Sequence, residues 1–495
     1  MKKKRYIILG ILLAVAIVGG GVYLWVRNLY YGERWYPGTT INGFSVGGKT
    51  LEESKSKMQE YYEDYALTVL GRENGKMLIP GDDIDYIIDV SSQWDELFRT
   101  QHEKMCLPWS ISGEHTVGYN VSYDEVRLAD MISTSEIVKG SETYKISKPV
   151  SARVKYNSDQ GRYTYVKEKN GNTIQVQELL KAVQQALQQG RAELNLENES
   201  ECPDVYEKPK ITLADEELKK EWALCNQAVT RYIRWNMGNK IVETVEPKQI
   251  AKWISYKKGA IVYNKQKISD WVGEFCLKYK TVGKTRKMQS HTGKVVSVSG
   301  GDYGVQLDFV KTQKQLQKAL KKEIGTEKTE AFLSDPSDEN KKTVTITLKP
   351  TYLNYAYKKD FSKNPKDWDT KNYIEVSLSE QKVYVFRKGK VAFQCRCISG
   401  LPVQGRATAT GTYYIKEHRR DYTMKGDDYE TFVKCWVRIT WTGTGFHPAT
   451  WQPWSRWSKT LYKTRGSHGC LNLKPDDAET IYRMSKYQEA VFIHK

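Results

Sequence analysis

Four basic residues, Lys2-Lys3-Lys4-Arg5, stand in front of a run of twenty-one uncharged residues from Tyr6 to Val26. As a helix at about 1.5 Å per residue, that run spans roughly 30 Å, the hydrocarbon thickness of a bilayer. A helix apolar on every side has no polar face to turn to water, so the segment calls for a membrane rather than for the edge of a soluble core. The basic cluster places residues 1–5 in the cytoplasm and 6–26 across the cell membrane, with everything from about Arg27 on the outer side. A cleaved signal peptide is the alternative. Ala14-Val15-Ala16 has the small-x-small form of a cleavage site, but it lies inside an apolar run longer than a usual signal core. The expectation is a single-pass, uncleaved anchor.

The chain of 495 residues has room for three or four domains. Residues 30–145 read as an α+β module. Thr50 caps a helical run from Leu51 to Ala66, with Glu53 as capping-box partner, and the apolar-rich Leu67-Thr68-Val69-Leu70 follows as a strand. The pattern restarts near 146. Val150 to Val166 alternates, Gly171-Asn172 marks a turn, and Val176 to Gly190 is helical with Gly190 as its stop. A third αβ stretch runs from about Thr212 to Lys322, and Thr343 to Leu348 reads as a last strand, so 146–350 forms an α+β region. Lys76–Ile88 and Ile241–Ile254 each carry a strand, an acidic turn and an Ile-containing segment, which suggests duplicated modules. Residues 351–370 read as a linker and 371–495 as a mainly-β domain. The expected fold class is multidomain: an N-terminal transmembrane helix, α+β modules, then a β-sandwich-like C-terminal domain.

The formal net charge is +18. Residues 371–495 hold 21 Lys/Arg against 11 Asp/Glu, or +10, more than half of the excess. A basic surface of this kind attracts polyanions. Outside a membrane these are wall polymers and lipid headgroups; no nucleic-acid motif appears. Eight cysteines are scattered (Cys106, Cys202, Cys225, Cys276, Cys395, Cys397, Cys435, Cys470), with no Cys-x-x-Cys. Zinc-ribbon and thioredoxin-like sites are thereby disfavoured. Cys395 and Cys397, two apart on a probable strand, face one side and read as core thiols. A complete disulfide framework is improbable if Cys470 stays free, since seven remain. Nothing in the sequence sets an oligomeric state.

The chemistry concentrates at Ser467-His468-Gly469-Cys470, with His447 upstream in Thr444-Gly445-Phe446-His447. A cysteine thiolate is a strong nucleophile, and a nearby histidine can take its proton and return it to a leaving amine. Gly445 and Gly469 flank the two groups and let backbone N–H groups approach a reacting carbonyl oxygen. A lone Cys/His pair is more often structural. Here, however, Leu471-Asn472-Leu473 and Trp436 to Trp441 alternate as strands do, which puts the two groups on neighbouring strand ends.

These residues resemble the signature of YkuD-type L,D-transpeptidases: a His, a spacer, then Ser/Thr-His-Gly-Cys, an apolar residue and Asn. Tyr373 to Leu378 and Gln381 to Phe386 resemble that family's opening hairpin, and Thr408-Ala409-Thr410-Gly411-Thr412-Tyr413 its Thr-Pro-Thr-Gly-Thr turn, with Ala409 in place of proline. The likeness covers about the last quarter of the chain. Nineteen residues separate His447 from Ser467, a long spacer holding Trp451, Trp454 and Trp457, and Pro448 stands where a small residue is usual. More loosely, the region before it resembles peptidoglycan-binding modules, against which a simple stalk is the alternative.

The resemblance implies that Cys470 attacks the third residue's carbonyl in a stem tetrapeptide, releases D-Ala, and passes the acyl group to a neighbouring stem's amine. Donor and acceptor peptidoglycan stems are then the partners, and neither cofactor nor metal is needed. His447 is the general base and acid, with its tautomer set by the Pro448 carbonyl and its imidazolium stabilising the thiolate. Gly469 and Cys470 N–H groups form the oxyanion site, with His468 as a further candidate donor. His468, two residues from Cys470, shapes the pocket, Ser467 supports it by hydrogen bonding, and Asn472 holds the Cys470 loop. Tyr422, Tyr429, Trp436 and Trp441 are candidates for the groove, with core packing as the competing role, and the polar His418–Glu430 segment for a lid. Alternatives are an L,D-carboxypeptidase or endopeptidase with water as acceptor, a non-catalytic membrane-tethered wall-binding protein, and a zinc site of His447, His468 and Cys470.

Overall fold

The computed structural model describes residues 2–30, 33–89, 91–103, 113–118, 120–335, 338–426 and 429–495; Cys106 lies outside them. The uncharged run is part of one helix, Lys2–Tyr30, whose stretch Lys2–Arg27 is long and apolar enough to cross a membrane. The chain divides into two compact units. One comprises Met1–Arg153 and Tyr165–Leu218, the other Val154–Thr164 and Lys219–Lys495.

In the first unit the helix Leu51–Glu63 starts at the expected capping box. The Thr50 hydroxyl accepts from Glu53 N–H at 3.1 Å and the Glu53 carboxylate accepts from Thr50 N–H at 2.9 Å. It stops short of Ala66 because Ala66–Leu70 is already a strand. That strand pairs antiparallel with Lys76–Pro80 and parallel with Glu193–Asn195. Leu67, Val69 and Ile79 are fully buried, with Leu128, Leu179 and Val183 against them.

The second unit repeats this topology. The helix Glu216–Val229 leads into strand Tyr232–Gly238, which pairs antiparallel with Ile241–Val245 and parallel with Thr345–Leu348. In both units a short helical turn follows (Asp82–Ile84; Pro247–Ala251). Then comes an antiparallel strand pair, Ile87–Asp89 with Asn120–Ser122 or Ile254–Lys257 with Ala260–Tyr263. A helix capped by the side chain of Asp124 or Asn264 comes next. The likeness between Lys76–Ile88 and Ile241–Ile254 thus extends to several elements in the same order, although the first unit inserts the helix Ser91–Glu103 and the strand Glu114–His115 within its second strand pair.

The C-terminal domain, whose strands are numbered here from its own start, is a nine-stranded sheet with helix α1. The strands are β1 (Tyr373–Ser377), β2 (Lys382–Arg387), β3 (Lys390–Ile398), β4 (Gly411–Tyr414), β5 (Glu417–Gly426), β6 (Tyr429–Arg438), β7 (Gly445–Pro448), β8 (Leu471–Leu473) and β9 (Ala490–His494), and α1 is Pro475–Met484. Their order across the sheet is β4-β9-β1-β2-β3-β8-β7-β6-β5. Only β1–β9 and β7–β8 are parallel. On one face Ile374, Val376, Val383, Val385, Cys395 and Cys397 pack with Ile481 of α1, so the two thiols are core residues. The seven described cysteines are all free.

The opposite face carries Tyr373, Tyr384, Phe386 and Phe492, and Met288, Val298, Tyr303 and Trp368 cover it. The first three of these come from residues 286–303, ahead of the domain. Backbone bonds join the parts as well: Thr412 N–H donates to the Gly300 carbonyl at 3.0 Å and Tyr303 N–H to the Thr412 carbonyl at 2.9 Å. The stretch 351–370, read as a linker, is fastened here. Its Asp367 forms a fully buried ion pair with Arg286 at 2.8 Å.

Candidate active site

Strands β7 and β8 run parallel, with Phe446 opposite Leu471, His447 opposite Asn472 and Pro448 opposite Leu473. Because side chains alternate across a strand, this register sorts the motif in two. Phe446, Leu471 and Leu473 enter the core. His447, Asn472 and the preceding Cys470 come up on the other face and line a cavity of about 390 Å³. Met424, Tyr429, Gln452, Ser467 and His468 line it too. Met424, Val433 and Trp436 form a small apolar cluster with Cys470.

The motif is held by backbone and hydroxyl contacts. Gly469 has φ +117°, a conformation that favours glycine. A Cβ on Gly400 would stand 2.9 Å from the Gly469 Cα and closer still to the Arg406 carbonyl, so the chain there must also be bare. The Thr408 hydroxyl donates to the Gly469 carbonyl and accepts from Gly400 N–H, both at 2.8 Å. The Ser467 hydroxyl donates to the Cys470 carbonyl at 2.6 Å and accepts from Gly469 N–H at 3.0 Å. Ser467 therefore closes the Cys470 turn instead of supporting His468, as short hydroxyl side chains do when backbone groups lie two and three residues on. The Gly469 N–H is occupied by that bond. His468 stands against Arg406 and packs at 5.1 Å on Tyr429.

His447 Nδ1 lies 2.9 Å from the Pro448 carbonyl, an acceptor only, so Nδ1 carries the proton and Nε2 is the basic nitrogen. Burial pulls the His447 pKa down to about 4, against that hydrogen bond. Burial pushes the Cys470 thiol up to about 11, opposed by the Gly445 backbone and by Arg438. The thiol donates to the Gly443 carbonyl at 3.4 Å. Burial thus favours the thiol and the neutral imidazole over the thiolate and imidazolium, because either charge would be desolvated. Among the described residues no group of three His, Cys, Asp or Glu is placed to hold a metal.

Of the groove candidates, Tyr429 lines the cavity. Trp436 is buried beneath it, stacked on Tyr422 at 5.6 Å and tilted toward His447 at 5.9 Å. Trp441 is 67% exposed on the turn after β6, away from the cavity lining. The polar His418–Glu430 segment lies mostly in the long β5–β6 hairpin, where alternation of Tyr422 and Met424 with charged residues suits a strand. Sequence reasoning singled out the long spacer as a different roof for the site but not the part each of its residues plays. Trp454 and Trp457 anchor it by indole N–H bonds to the Ala449 and Cys397 carbonyls, at 2.8 and 3.0 Å. Trp451 stacks on His447 at 5.9 Å, and Gln452 enters the wall. Only the density of tryptophan in the spacer signalled this.

Residues 371–493 match the family model "L,D-transpeptidase catalytic domain", and 211–327 match "Putative peptidoglycan binding domain". A Bacillus subtilis (strain 168) protein named "Putative L,D-transpeptidase YciB" is 27% identical over 170 residues, covering 30% of this chain and 86% of that one. A crystal structure of a cysteine-to-serine mutant of the Enterococcus faecium L,D-transpeptidase is 25% identical, covering 57% of this chain and 100% of that one, with a TM-score of 0.37. The solution structure of the catalytic domain from the E. faecium L,D-transpeptidase is 38% identical, covering 25% of this chain and 96% of that one, with a TM-score of 0.23.

Proposed function

Since residues 371–493 of this chain are an L,D-transpeptidase catalytic domain preceded by the domain matched at 211–327, we propose that it cross-links peptidoglycan stems through a thioester on Cys470. The observation that carries this reading is the parallel β7–β8 register, which brings Cys470, His447 and Asn472 to one cavity. In the first half, Sγ attacks the carbonyl of the stem's third residue while His447 Nε2 takes the thiol proton. The C–N bond breaks, and His447 returns the proton to the departing D-Ala amine. In the second half the acceptor amine attacks the thioester. The new C–N bond forms as C–S breaks, and His447 carries the amine proton back to Sγ. One amide replaces another, so no energy-rich cofactor enters. With Gly469 N–H bound to Ser467, the Cys470 N–H is the backbone donor left for the developing oxyanion. The helix Lys2–Tyr30 is read as an anchor that keeps this domain at the wall side of the membrane.

The test is to incubate the purified chain with a disaccharide-tetrapeptide and weigh the products. Cross-linked dimer is expected. Tripeptide with no dimer rules against transfer and favours the L,D-carboxypeptidase or endopeptidase alternative.

The pH profile gives an independent check. The reactive ground state needs neutral His447, whose pKa is about 4. kcat/KM for thioester formation is expected to stay flat from about pH 5 to 9 and to fall on the acid side near 4, where protonated His447 can no longer accept the thiol proton. An acid limb near the ordinary histidine value, about 6.5, contradicts a buried neutral base. His447→Ala should lower the plateau by about 10²–10⁴-fold.

A further inference from the structure

We infer that Gln452 and Asn472 form the subsite that holds the acceptor amine; this rests on the acyl-transfer reading above. Two oxygen atoms in the side chains lining the cavity have no hydrogen-bond donor among the described residues, Gln452 Oε1 and Asn472 Oδ1. Both residues are more than nine-tenths buried, at 8% and 2% exposure. The orientation of Gln452 is fixed, because its Nε2 donates to the Arg465 carbonyl at 3.0 Å and only an N–H can do so. Its amide oxygen is therefore the unmet end. Asn472 is the cross-strand partner of His447 and shares a face with Cys470. A group that gives its proton to His447 lies within reach of Asn472.

Buried carbonyl oxygens without donors are costly, and a ligand that brings N–H groups relieves that cost. A neutral primary amine brings two N–H groups and one lone pair. Two oxygens that each accept one N–H leave the lone pair for the thioester carbon. As the C–N bond forms and C–Sγ breaks, one of those protons passes through His447 to Sγ. The ligand class is a primary amine on an aliphatic side chain. Both oxygens are sealed from solvent, and the wall that yields is Trp451: it adjoins Gln452, stacks on His447 and is 48% exposed. An aromatic face beside an amine-binding site also suits the cationic form in which the acceptor arrives, which gives one proton to solvent before its lone pair attacks. The long tryptophan-rich spacer thus has a task of its own, to bring Gln452 to the thioester.

The test uses the full chain with a disaccharide-tetrapeptide donor and a subsaturating primary-amine acceptor stem, read as the ratio of dimer to tripeptide. This ratio depends only on how the thioester partitions, not on how fast it forms. Gln452→Met removes the oxygen at similar volume and is expected to lower the ratio about tenfold and to raise the acceptor concentration for half-saturation. Gln452→Glu loses the bond to the Arg465 carbonyl as Gln452→Met does but keeps an acceptor oxygen, so its ratio should exceed that of Gln452→Met by about threefold or more. An unchanged ratio in Gln452→Met overturns the subsite. An equal fall in both variants with a lowered melting midpoint assigns Gln452 a purely structural role and overturns it as well. If the unmodified chain forms no thioester at all, the acyl-transfer reading fails with it, an outcome distinct from an intact thioester with an unchanged ratio.

Discussion

Replacing Cys470 with alanine is expected to lower thioester formation and cross-linking at least about a thousandfold, equivalent to about 4 kcal/mol of transition-state stabilisation. The thiol shares the cavity with His447, whereas the neighbouring Ser467 spends its hydroxyl on the Cys470 and Gly469 backbone. The same change should abolish a covalent mass adduct with a carbapenem, which the unmodified chain is expected to form. Wall binding should persist, because the domain matched at 211–327 is untouched. Folding should survive too. Cys470 packs in a satellite cluster with Met424, Val433 and Trp436 rather than in the main core, so its truncation removes few contacts. A Cys470→Ala chain that still yields dimer sinks the acyl-enzyme reading, and a wild-type chain that takes up no carbapenem counts heavily against a reactive thiol.

What sequence conveyed of this site was its residue types and local patterns. Alternation around Trp436 and Leu471 announced strands, and the capping box at Thr50 and Glu53 announced a helix start, because both are short-range properties of the chain. The proximity of His447 to Cys470 was inferable from strand ends, but the parallel register that pairs His447 with Asn472 was not, since it joins residues across a long loop. The direction in which burial moves the two groups was not legible for a related reason. A sequence states which groups meet, whereas burial, which favours both neutral forms, depends on what Trp436 and Trp451 cover. The Ser467 hydroxyl is taken up by two backbone groups of its own turn, which residue types alone do not announce. The segment 351–370, polar and without periodicity, read as a linker. Its fastening depends on Arg286, more than eighty positions earlier, and no local pattern announces such a partner.

That fastening supports the second large expectation. Asp367→Leu should destabilise the C-terminal unit by about 3–5 kcal/mol, because it strands a guanidinium with no carboxylate in a fully buried place. Arg286 donates to both Asp367 oxygens at 2.8 Å, and the Thr281 hydroxyl donates to one of them at 2.6 Å. Both partners are 0% exposed, so water cannot replace what is lost. The Tyr303 hydroxyl donates to the Asp367 carbonyl at 3.1 Å and its ring lies under the guanidinium, at 5.2 Å. Loosening this node therefore loosens Tyr303 from the aromatic face of the sheet, where it packs with Tyr373, Tyr384 and Phe492. In a thermal melt this corresponds to roughly 6–20 °C off the midpoint of that unit. The double change Arg286→Met with Asp367→Leu removes both charges and should cost clearly less than the sum of the single changes, since the main penalty is an unpaired buried charge and not a lost attraction. Additive single and double effects are the result that contradicts this. A catalytic domain cut out at residue 371 loses Arg286, Tyr303 and Asp367 together, and the exposed aromatic face should then make it less stable than the same residues in the full chain.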